Sequence, residues 1–320
     1  MSDADTMSNL RVLHLLYNGD AKGGAQKIAL GCADYNESLV TSSVRSGDLQ
    51  QAFRDSNHLF SAFSTLVLRA PFQRIFCSDP RALIFSYLVF RSIKSERFLI
   101  LHSDKWIRWI SILATICRVL SVKCICTTKT QHQALASFGV STSVVRICDI
   151  PVMRGPQSKT CRFVYFGRFE AVKKISHIVD LISSARRFNP DIELLLIGSG
   201  AETPPLIEGI KIISRWVSQT ELQRLMSDCS FVVNATDNEG FSLQVMEGIS
   251  NGLLPLVVSK RLLSNYDLPV DCKLTVENIC KAASMNQDEF DKRVSSAQQT
   301  LVSNLTGLPD IREFMSRDCL

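Results

Sequence analysis

Short apolar runs alternate with stretches of helical periodicity along most of the chain. In the first half the apolar runs predict strands, and apolar positions spaced three and four residues apart predict helices. Because strands that alternate with helices form parallel sheets covered by helices, we expect an α/β domain here. The predicted strands are 10–17, 59–68, 74–77, 98–101 and 123–127, and the predicted helices are 81–93, 105–120 and 130–138.

The second half repeats this alternation after a break. Residues 151–159 combine Pro, Gly and polar residues without periodicity, which is typical of an interdomain linker. Since 320 residues exceed what one core usually organises, we expect two domains, 1–152 and 153–320, with the last helix packing back on the first. The predicted strands are 162–166, 192–197, 210–213, 231–234 and 254–258, and the predicted helices are 175–188, 219–227 and 243–250.

A glycine-rich turn follows the first predicted strand. Residues 18–24, which include Gly23 and Gly24, come before a helical pattern that begins at Ala25. Strand, glycine loop and helix form the first step of a βαβ unit. Ligands of such sheets bind at the carboxyl ends of the strands, so this loop is a candidate binding element.

Composition and hydropathy predict a folded protein without a membrane-spanning helix. Apolar residues make up 46% of the chain and charged residues 21%, which is close to the average for soluble domains. The longest central uncharged apolar run, 109–117, lies between Arg108 and Arg118 and is far shorter than the ~20 residues a bilayer requires. The polar, acidic amino terminus lacks a secretory signal, so we expect a cytoplasmic protein.

The basic excess is confined to the first half. Residues 1–152 hold 17 Lys and Arg against 11 Asp and Glu, whereas residues 153–320 hold 19 against 20. A basic half can face nucleic acid or an anionic membrane. No nucleic-acid-binding signature with interleaved aromatic residues accompanies it, so we favour the membrane as a partner and expect no nucleic acid.

The eleven cysteines are scattered through the chain. Only Cys124 and Cys126 lie close together, and no Cys-x-x-Cys pair occurs. Neither a disulfide framework nor a zinc site is indicated. We expect most of the cysteines to be small buried apolar residues.

The segment 231–247 carries the clearest chemical pattern. A strand ending at Asn234 leads through a polar loop to Glu239-Gly240-Phe241-Ser242, which opens a helix that contains Glu247. The helix amino terminus attracts anions, and Gly240 lets a ligand approach the backbone closely. With 3.6 residues per turn, Glu239 and Glu247 fall near one face. Carboxylates that accept hydrogen bonds from hydroxyls, next to amides that hold phosphate, suit a phosphorylated polyol, although solvated glutamates are common on helices.

A second pattern places cations just beyond a strand. The predicted strand 162–166 runs into Gly167 and Arg168, and Lys173 and Lys174 follow. Arg clamps phosphate bidentately and Lys adds a point charge. Alone, this segment would indicate a basic surface turn, but together with the glutamates it favours a sugar phosphate site.

These motifs resemble the retaining glycosyltransferases of family 4 (glycosyl transferases group 1), which have the GT-B fold of two facing Rossmann-like domains. The resemblance is strongest over 163–259. It rests on Gly167-Arg168-Phe169 with Lys173 and on Ile197-Gly198-Ser199-Gly200. It also rests on Glu239 and Glu247, which are separated by seven residues, and on Asn251-Gly252 with Pro255. The loop Gly23-Gly24-Ala25-Gln26 and the segment from 127 to Val140 match more loosely. Lys174 replaces a glycine common in the family, Asn234-Ala235-Thr236 replaces Pro and Ser, and the chain is short for the family.

The resemblance implies a role for each matching residue. Arg168 and Lys173 would neutralise a donor diphosphate, with the amides of Gly240, Phe241 and Ser242. Glu247 would hold the nucleotide ribose and Glu239 the transferred sugar, while Thr236 could supply a hydroxyl. Trp216 and Val217 would receive the base, and Gly24 would approach the donor or acceptor. His102 resembles a histidine on the acceptor side, but a core or capping role is equally compatible with the sequence.

The resemblance implies hexosyl transfer from a nucleotide diphosphate sugar with retention of configuration. Fixed cations aimed at the leaving phosphate do what a metal does in other transferases. The Asp-x-Asp motif lies in the polar amino terminus, at Asp3 and Asp5, so we predict no metal and no other cofactor besides the donor. The expected acceptor is lipid-linked or part of a surface polysaccharide or lipopolysaccharide, used by a protein peripheral on the inner face of the membrane.

Two other functions remain open. Ile197-Gly198-Ser199-Gly200 after a strand indicates an NAD-dependent oxidoreductase, but Thr203 stands where the third glycine belongs and Pro204-Pro205 interrupt a helix. A catalytically inactive GT-B protein that binds a nucleotide sugar or a partner is also compatible with the sequence. Residues 105–109 begin a helix with aromatic and cationic side chains suited to a bilayer interface, although burial against the first sheet is the commoner fate of such a helix.

Overall fold

The computed structural model describes residues 12–16, 39–42, 74–89, 95–101, 104–146, 153–155, 158–237 and 239–311. They form two compact units, one of Met1–Asp149 with Leu308–Leu320 and one of Ile150–Gly307. Among these residues, no helix is both long and apolar enough to cross a membrane.

The first unit contains a parallel sheet in the order β2-β1-β3-β4-β5-β6. Each pair of neighbouring strands runs parallel, as predicted for alternating strands and helices. The strands are β1 (Val12–Leu16), β2 (Leu39–Ser42), β3 (Arg74–Cys77), β4 (Glu96–Leu101), β5 (Lys123–Cys126) and β6 (Thr142–Val144), and the helices are α1 (Pro80–Val89), α2 (Ile110–Val119) and α3 (Lys129–Ala136). A 3-10 turn, Asp104–Trp109, leads into α2.

Alternate residues of β3, β4 and β5 supply the two faces of this sheet. One face packs against α1, α2 and α3 through a core that includes Leu83, Leu113 and Leu135. On the other face Phe76 stacks on Phe98 with ring centroids 4.8 Å apart. That second cluster also contains Ile100, Ile125, Val145 and Ile311.

Ile311 reaches this face because the chain returns to the first unit after its last long helix. The backbone nitrogen of Arg146 donates to the carbonyl of Pro309 at 2.8 Å, and that of Ile311 donates to the carbonyl of Arg146 at 2.8 Å. The Arg146 guanidinium pairs with the buried carboxylate of Asp310 at 3.2 Å. The last long helix itself groups with the second unit.

The second unit contains a parallel five-stranded sheet in the order β11-β10-β7-β8-β9. Its strands are β7 (Arg162–Phe166), β8 (Glu193–Ile197), β9 (Ile210–Ile213), β10 (Phe231–Asn234) and β11 (Leu254–Val257). Its helices are α4 (Ile175–Arg186), α5 (Gln219–Met226), α6 (Leu243–Ser250), α7 (Lys260–Asn265), α8 (Val276–Ser284) and α9 (Gln287–Thr306), with 3-10 turns at Ala171–Lys173 and Val270–Cys272.

Both faces of the second sheet are covered. One face holds Val164, Leu195 and Val232, packed with Leu222 and Met226 of α5. On the other face Phe163 stacks on Phe231 at 4.6 Å, and Phe290 of α9 meets Phe231 edge-on at 5.8 Å. Strands buried on both sides read as continuous apolar runs, which is why the sequence predicted them well.

The predicted elements agree with the structure apart from their ends and some omissions. The helix predicted over 81–93 is present as far as Val89, and residues 90–93 lie outside the described part of the chain. The first turns of the helix predicted over 105–120 are 3-10. The sequence did not predict β2, β6, α7 or α8. The predicted strand 59–68, the glycine turn 18–24 and the helix after it lie outside the described residues.

Most of the described cysteines are buried, as predicted. Six of the eight are buried, and Cys161 and Cys280 are half-buried. Burial raises the pKa of Cys77, Cys229 and Cys272 to about 12. These thiols therefore pack as small apolar side chains rather than as nucleophiles.

Gly248 sets how closely α6 approaches the sheet. A Cβ at this position would lie 2.5 Å from Cγ1 and 2.8 Å from Cβ of Val232 on β10. An added methyl group would push the helix away from the strand.

We therefore expect Gly248→Ala to destabilise the protein in urea denaturation. Overpacking costs about 1–3 kcal/mol. This cost outweighs the ~1 kcal/mol that Ala gains over Gly inside a helix. Gly155→Ala is the control, because a Cβ at that position meets no atom within 4 Å. Equal stability of the two variants would contradict the close approach.

Candidate functional site

Two loops at the carboxyl end of the second sheet carry the predicted cations and the first predicted glutamate. One follows β7 and contains Arg168 and Lys173, and the other follows β10 and contains Glu239. β7 and β10 are adjacent in the sheet, so their ends lie side by side. This is the edge at which parallel α/β sheets bind ligands.

Lys173 and Glu239 form a direct ion pair across these loops. The Lys173 Nζ lies 3.2 Å from Oε1 and 3.1 Å from Oε2 of Glu239. Both side chains are about one-fifth exposed, 21% for the lysine and 20% for the glutamate. The structure thus brings together two residues that are 66 positions apart in the chain.

The carboxylate of Glu239 is also held by Asn234, the last residue of β10. The Asn234 side chain is fully buried, and its Nδ2 lies 3.2 Å from Oε2 of Glu239, 3.3 Å from Oγ of Ser242 and 2.9 Å from Oε1 of Gln244. Its Oδ1 accepts a hydrogen bond from the backbone nitrogen of Thr236 at 2.9 Å. One amide therefore organises the loop between β10 and α6.

Residues after β11 hold the backbone of the same loop. The Ser259 hydroxyl donates to the carbonyl of Glu239 at 3.0 Å, and Asn265 Nδ2 donates to the carbonyl of Gly240 at 2.7 Å. The Tyr266 hydroxyl donates to the carbonyl of Ser242 at 3.0 Å, and its ring stacks on Phe241 with centroids 5.7 Å apart. Sequence reasoning missed these three supports, because only folding brings them to Glu239.

The amino terminus of α6, where the sequence predicts anion binding, is capped by a side chain of the same loop. Ser242 caps the helix by accepting from Val245, and its own backbone nitrogen lies 3.3 Å from the Tyr266 hydroxyl. Among the described residues, none accepts a hydrogen bond from the backbone nitrogens of Gly240 or Phe241. Both residues precede Ser242, the cap residue of α6, so they belong to the loop that leads into the helix.

Arg168 is held by the neighbouring strand-end loop. A Cβ added at Gly198 would lie 1.8 Å from the carbonyl oxygen of Gly167. A Cβ added at Gly200 would lie 2.2 Å from the carbonyl oxygen of Phe169. The backbone nitrogen of Phe169 donates to the carbonyl of Ser199 at 3.0 Å. Glycines at 198 and 200 thus let the backbone of the loop after β8 contact the backbone of the loop after β7.

This packing gives the Gly-x-Gly after β8 a role unrelated to a dinucleotide. Residues 198–209 contain no helix. The nicotinamide fingerprint requires a helix that opens directly after such glycines. The oxidoreductase alternative therefore lacks its structural context.

The pKa of Tyr165 depends on the charged residues of these loops. Its hydroxyl donates to the carbonyl of Arg168 at 2.8 Å. Burial raises the pKa of Tyr165, the negative charge of Glu239 adds to the rise, and the charge of Arg168 opposes it. The guanidinium of Arg168 itself pairs with Glu170 at 2.9 Å.

The remaining predicted donor residues of the second unit lie on nearby elements. Glu247 is half-buried within α6. Trp216 follows β9 and is 43% exposed, whereas Val217 packs against the core beside β7 and β8. Gly24 and His102 lie outside the described residues. Within the described part of the chain, no group of three or more His, Cys, Asp or Glu residues could hold a metal ion.

Comparison with known proteins agrees with this architecture. Residues 160–268 match the family model described as glycosyl transferases group 1. A sequence comparison with curated proteins finds no match. The matched segment covers β7 to α7, and with it Arg168, Lys173, Glu239 and Glu247.

Solved structures share the fold across more than nine-tenths of the chain. An E. coli trehalose-6-phosphate protein with bound UDP-2-fluoro glucose is 12% identical, with a TM-score of 0.60 over 92% of this chain and 96% of that one. HepE from Anabaena, in complex with UDP and glucose, is 14% identical, with a TM-score of 0.55 over 94% and 100%. The expected GT-B fold is confirmed.

A further match is to a longer protein. TarM from S. aureus, in a complex that includes UDP, is 14% identical with a TM-score of 0.57, over 72% of this chain and 52% of that chain. The pneumococcal O-GlcNAc transferase GtfA is covered to a similar extent, 54%. This chain therefore spans about half the length of these proteins.

Lys174, which stands where the family commonly has glycine, adopts a left-handed conformation. Its φ is 52° and its ψ is 47°, between the 3-10 turn that contains Lys173 and helix α4. Its side chain pairs with Asp237. A residue with a Cβ costs about 1–2 kcal/mol in this region of backbone space.

We expect Lys174→Gly to be more stable than Lys174→Ala by about 1 kcal/mol, because only glycine escapes that cost. Both variants lose the same exposed ion pair, so their difference isolates the backbone conformation. Chemical denaturation of the two proteins measures it. A more stable alanine variant would show that the backbone leaves the left-handed region in solution.

Thr236 carries a buried hydroxyl without a partner. The residue is 5% exposed, and its Oγ1 has no hydrogen-bond partner among the described residues. We expect Thr236→Val to keep or raise the free energy of unfolding, because an unsatisfied buried polar group costs about 1–3 kcal/mol. Thr236→Ser, which keeps the hydroxyl, is the comparison. Loss of stability in the valine variant alone would reveal a structural partner of the hydroxyl.

Proposed function

We propose that this chain is a retaining, metal-independent glycosyltransferase that moves a sugar from a nucleotide diphosphate sugar to a lipid-linked or cell-surface polysaccharide or lipopolysaccharide acceptor. The Lys173–Glu239 pair at the carboxyl end of the second sheet is the observation that supports it most. It sets a cation for phosphate directly beside a carboxylate for sugar hydroxyls. Such a juxtaposition is what a sugar linked to a diphosphate requires.

In the absence of donor, Lys173 and Glu239 satisfy each other. Partly exposed ion pairs contribute about 1 kcal/mol or less, so separating them costs little. When the donor binds, the ammonium of Lys173 turns to the phosphate oxygens and Glu239 accepts hydrogen bonds from the sugar hydroxyls. The pair thus keeps both side chains ordered at low energetic cost.

Further residues complete the donor site in this proposal. Arg168 exchanges its contact with Glu170 for the diphosphate, which it clamps with planar guanidinium geometry. The N–H groups of Gly240 and Phe241 donate to phosphate oxygens. Glu247 holds the ribose, and the exposed ring of Trp216, with Val217 beside it, offers a surface for the base.

The same groups act on the chemical step. The bond from the anomeric carbon to the phosphate oxygen breaks while the acceptor oxygen attacks the same face, and the acceptor proton passes to the leaving phosphate. Negative charge grows on that phosphate, where Arg168, Lys173 and the two amides stabilise it. Removing one preorganised donor of this type typically costs about 10²–10³-fold in rate.

Similar structures suggest which donor to test first. The structures of the E. coli protein, HepE and TarM contain UDP or a UDP sugar. UDP-glucose and UDP-N-acetylglucosamine are therefore the first candidates. The acceptor proposal rests on the basic excess of the first unit, the half that faces acceptors in GT-B enzymes, where Gly24 and His102 would lie. In this proposal the protein works in the cytoplasm, peripheral on the inner face of the membrane.

The decisive measurement is release of the nucleoside diphosphate from a panel of nucleotide sugars, with and without EDTA. We expect slow donor hydrolysis without acceptor, unaffected by EDTA. Lys173→Met and Arg168→Ala should each lower kcat/KM by about 100-fold or more. Lys211→Met, which removes an exposed lysine from β9, is the control and should retain full turnover.

Two outcomes would redirect the assignment. Binding of a nucleotide sugar by wild type without turnover of any donor would favour the inactive GT-B binder. Activity restored by a divalent ion after EDTA treatment would refute metal independence while leaving the transferase intact. Thr236→Val adds a test of the substrate contact, because a stable variant with reduced turnover assigns its hydroxyl to the donor.

A further inference from the structure

The outer face of α2 exposes an apolar stripe. Trp109, Ile112 and Val119 are 59%, 54% and 75% exposed. Ile112 and Val119 are seven residues apart, so they lie two turns apart on one side of the helix. The opposite side of α2 is buried through Leu113, Ala114 and Cys117.

Core packing does not account for this stripe. The first sheet is already covered by the buried side of α2, and Trp106 in the preceding 3-10 turn packs against that core. The burial expected for residues 105–109 therefore applies to Trp106 and not to Trp109. A surface helix normally turns polar residues outward, whereas α2 exposes Ile112 and Val119 beside the polar Ser111, Thr115 and Arg118.

The neighbouring helices extend the apolar surface. Every large hydrophobic side chain found exposed in the described part of the first unit belongs to the layer of α1, α2 and α3. Besides the three residues on the stripe, these are Ile84 in α1 and Phe138 just after α3. They lie on the helical layer and not on the opposite sheet face, which Ile311 helps cover.

The charge around the stripe has one sign. Residues 105–148 contain six Lys and Arg and no Asp or Glu. Arg108, Arg118 and Lys129 are exposed. The three helices contain no acidic residue.

The acidic residues near this layer are few and mostly paired. Asp79, before α1, pairs with Arg81 at 2.9 Å, and Glu96, at the start of β4, pairs with Lys123 at 3.4 Å and Arg74 at 3.8 Å. Asp104 opens the 3-10 turn before α2. The outward face of the helical layer is therefore cationic around an apolar centre.

We infer that this face, made of Trp109, Ile112, Val119, Arg108 and Arg118, docks on an anionic lipid bilayer. Helices that lie in a bilayer interface combine apolar side chains with Lys and Arg on their flanks. Trp is the side chain that favours the headgroup level. Cationic residues near an anionic leaflet each add to binding and lose their effect in high salt.

An anionic membrane fits this face better than a protein partner does. The exposed Arg108 and Arg118 disfavour a second copy of the same face, because like charges would oppose each other. The inference uses only first-unit residues and does not depend on the donor chemistry. If it holds, the surface places the proposed enzyme beside lipid-linked acceptors.

The test is flotation of the full chain with vesicles. We expect binding to mixed phosphatidylcholine and phosphatidylglycerol vesicles and little binding to phosphatidylcholine alone. Ile112→Ser with Val119→Ser should lower the vesicle partition coefficient by about 10-fold or more, because burial of apolar area drives interfacial binding. The matched control is Phe188→Ser with Leu206→Ser, which removes two exposed apolar side chains from the second unit and should bind like wild type.

Two further measurements test whether an anionic membrane occupies this face. Arg108→Gln with Arg118→Gln should weaken anionic binding and its salt dependence. Trp fluorescence should shift to shorter wavelength on anionic vesicles, and Trp109→Phe should abolish the shift. Circular dichroism of each variant confirms that it is folded.

Several results would overturn the inference. These are absence of vesicle binding by wild type, equal binding to both vesicle types, or unchanged binding of the Ile112→Ser, Val119→Ser variant. A concentration-dependent dimer abolished by that variant, without vesicle binding, would assign the face to self-association. Hydrolysis of a soluble donor by the same variant should equal wild type, so failure of membrane docking and failure of the proposed transferase are separate results.

Discussion

The arrangement of the second unit depends on direct backbone contact between two strand-end loops. The loop after β7 presses on the loop after β8 where Gly167 faces Gly198 and Phe169 faces Gly200. Hydrogen bonds from Gly167 to Ile197 and from Phe169 to Ser199 continue the strand pairing beyond the sheet. Arg168 is thereby carried on a backbone as fixed as the strands themselves. Preorganisation of this kind is what allows a cation to stabilise charge without reorganising.

The loop after β10 is fixed by a different device, which is a set of polar side chains. Asn234 holds the carboxylate of Glu239, while Ser259, Asn265 and Tyr266 hold the backbone from Glu239 to Ser242. Buried polar networks are stable only when their members are satisfied. Within this network the unpartnered hydroxyl of Thr236 is an exception, and such exceptions are expected where a ligand supplies the missing partner.

The sequence predicted the central strands because burial on both faces leaves uninterrupted apolar runs. β7 and β10 begin and end where the pattern placed them. The edge strand β9 does so too, although the exposed Lys211 interrupts its apolar run. β6 was missed because Thr142–Val144 is short and half-buried, so it carries no apolar run. The 3-10 geometry of Asp104–Trp109 was also missed, since its residue spacing resembles that of an α-helix over so few positions.

The candidate site was predictable only in part. Arg168, Lys173 and Glu239 stand out because charged residues follow apolar strands. The contact of Lys173 with Glu239 is visible only in the structure. Their supports come from Asn234 and from three residues at least twenty positions after Glu239, and no local pattern marks these as neighbours. Lys174 carried a usable signal, because a lysine at a position that favours glycine indicates a strained turn.

The return of residues 308–311 to the first unit has a consequence for biosynthesis. The second unit is continuous in sequence, so a ribosome releases all of its strands before the chain reaches Ile311. The aromatic face that carries Phe76 and Phe98 receives its last apolar cover only when that residue emerges. The half of the protein made first is thus the half completed last.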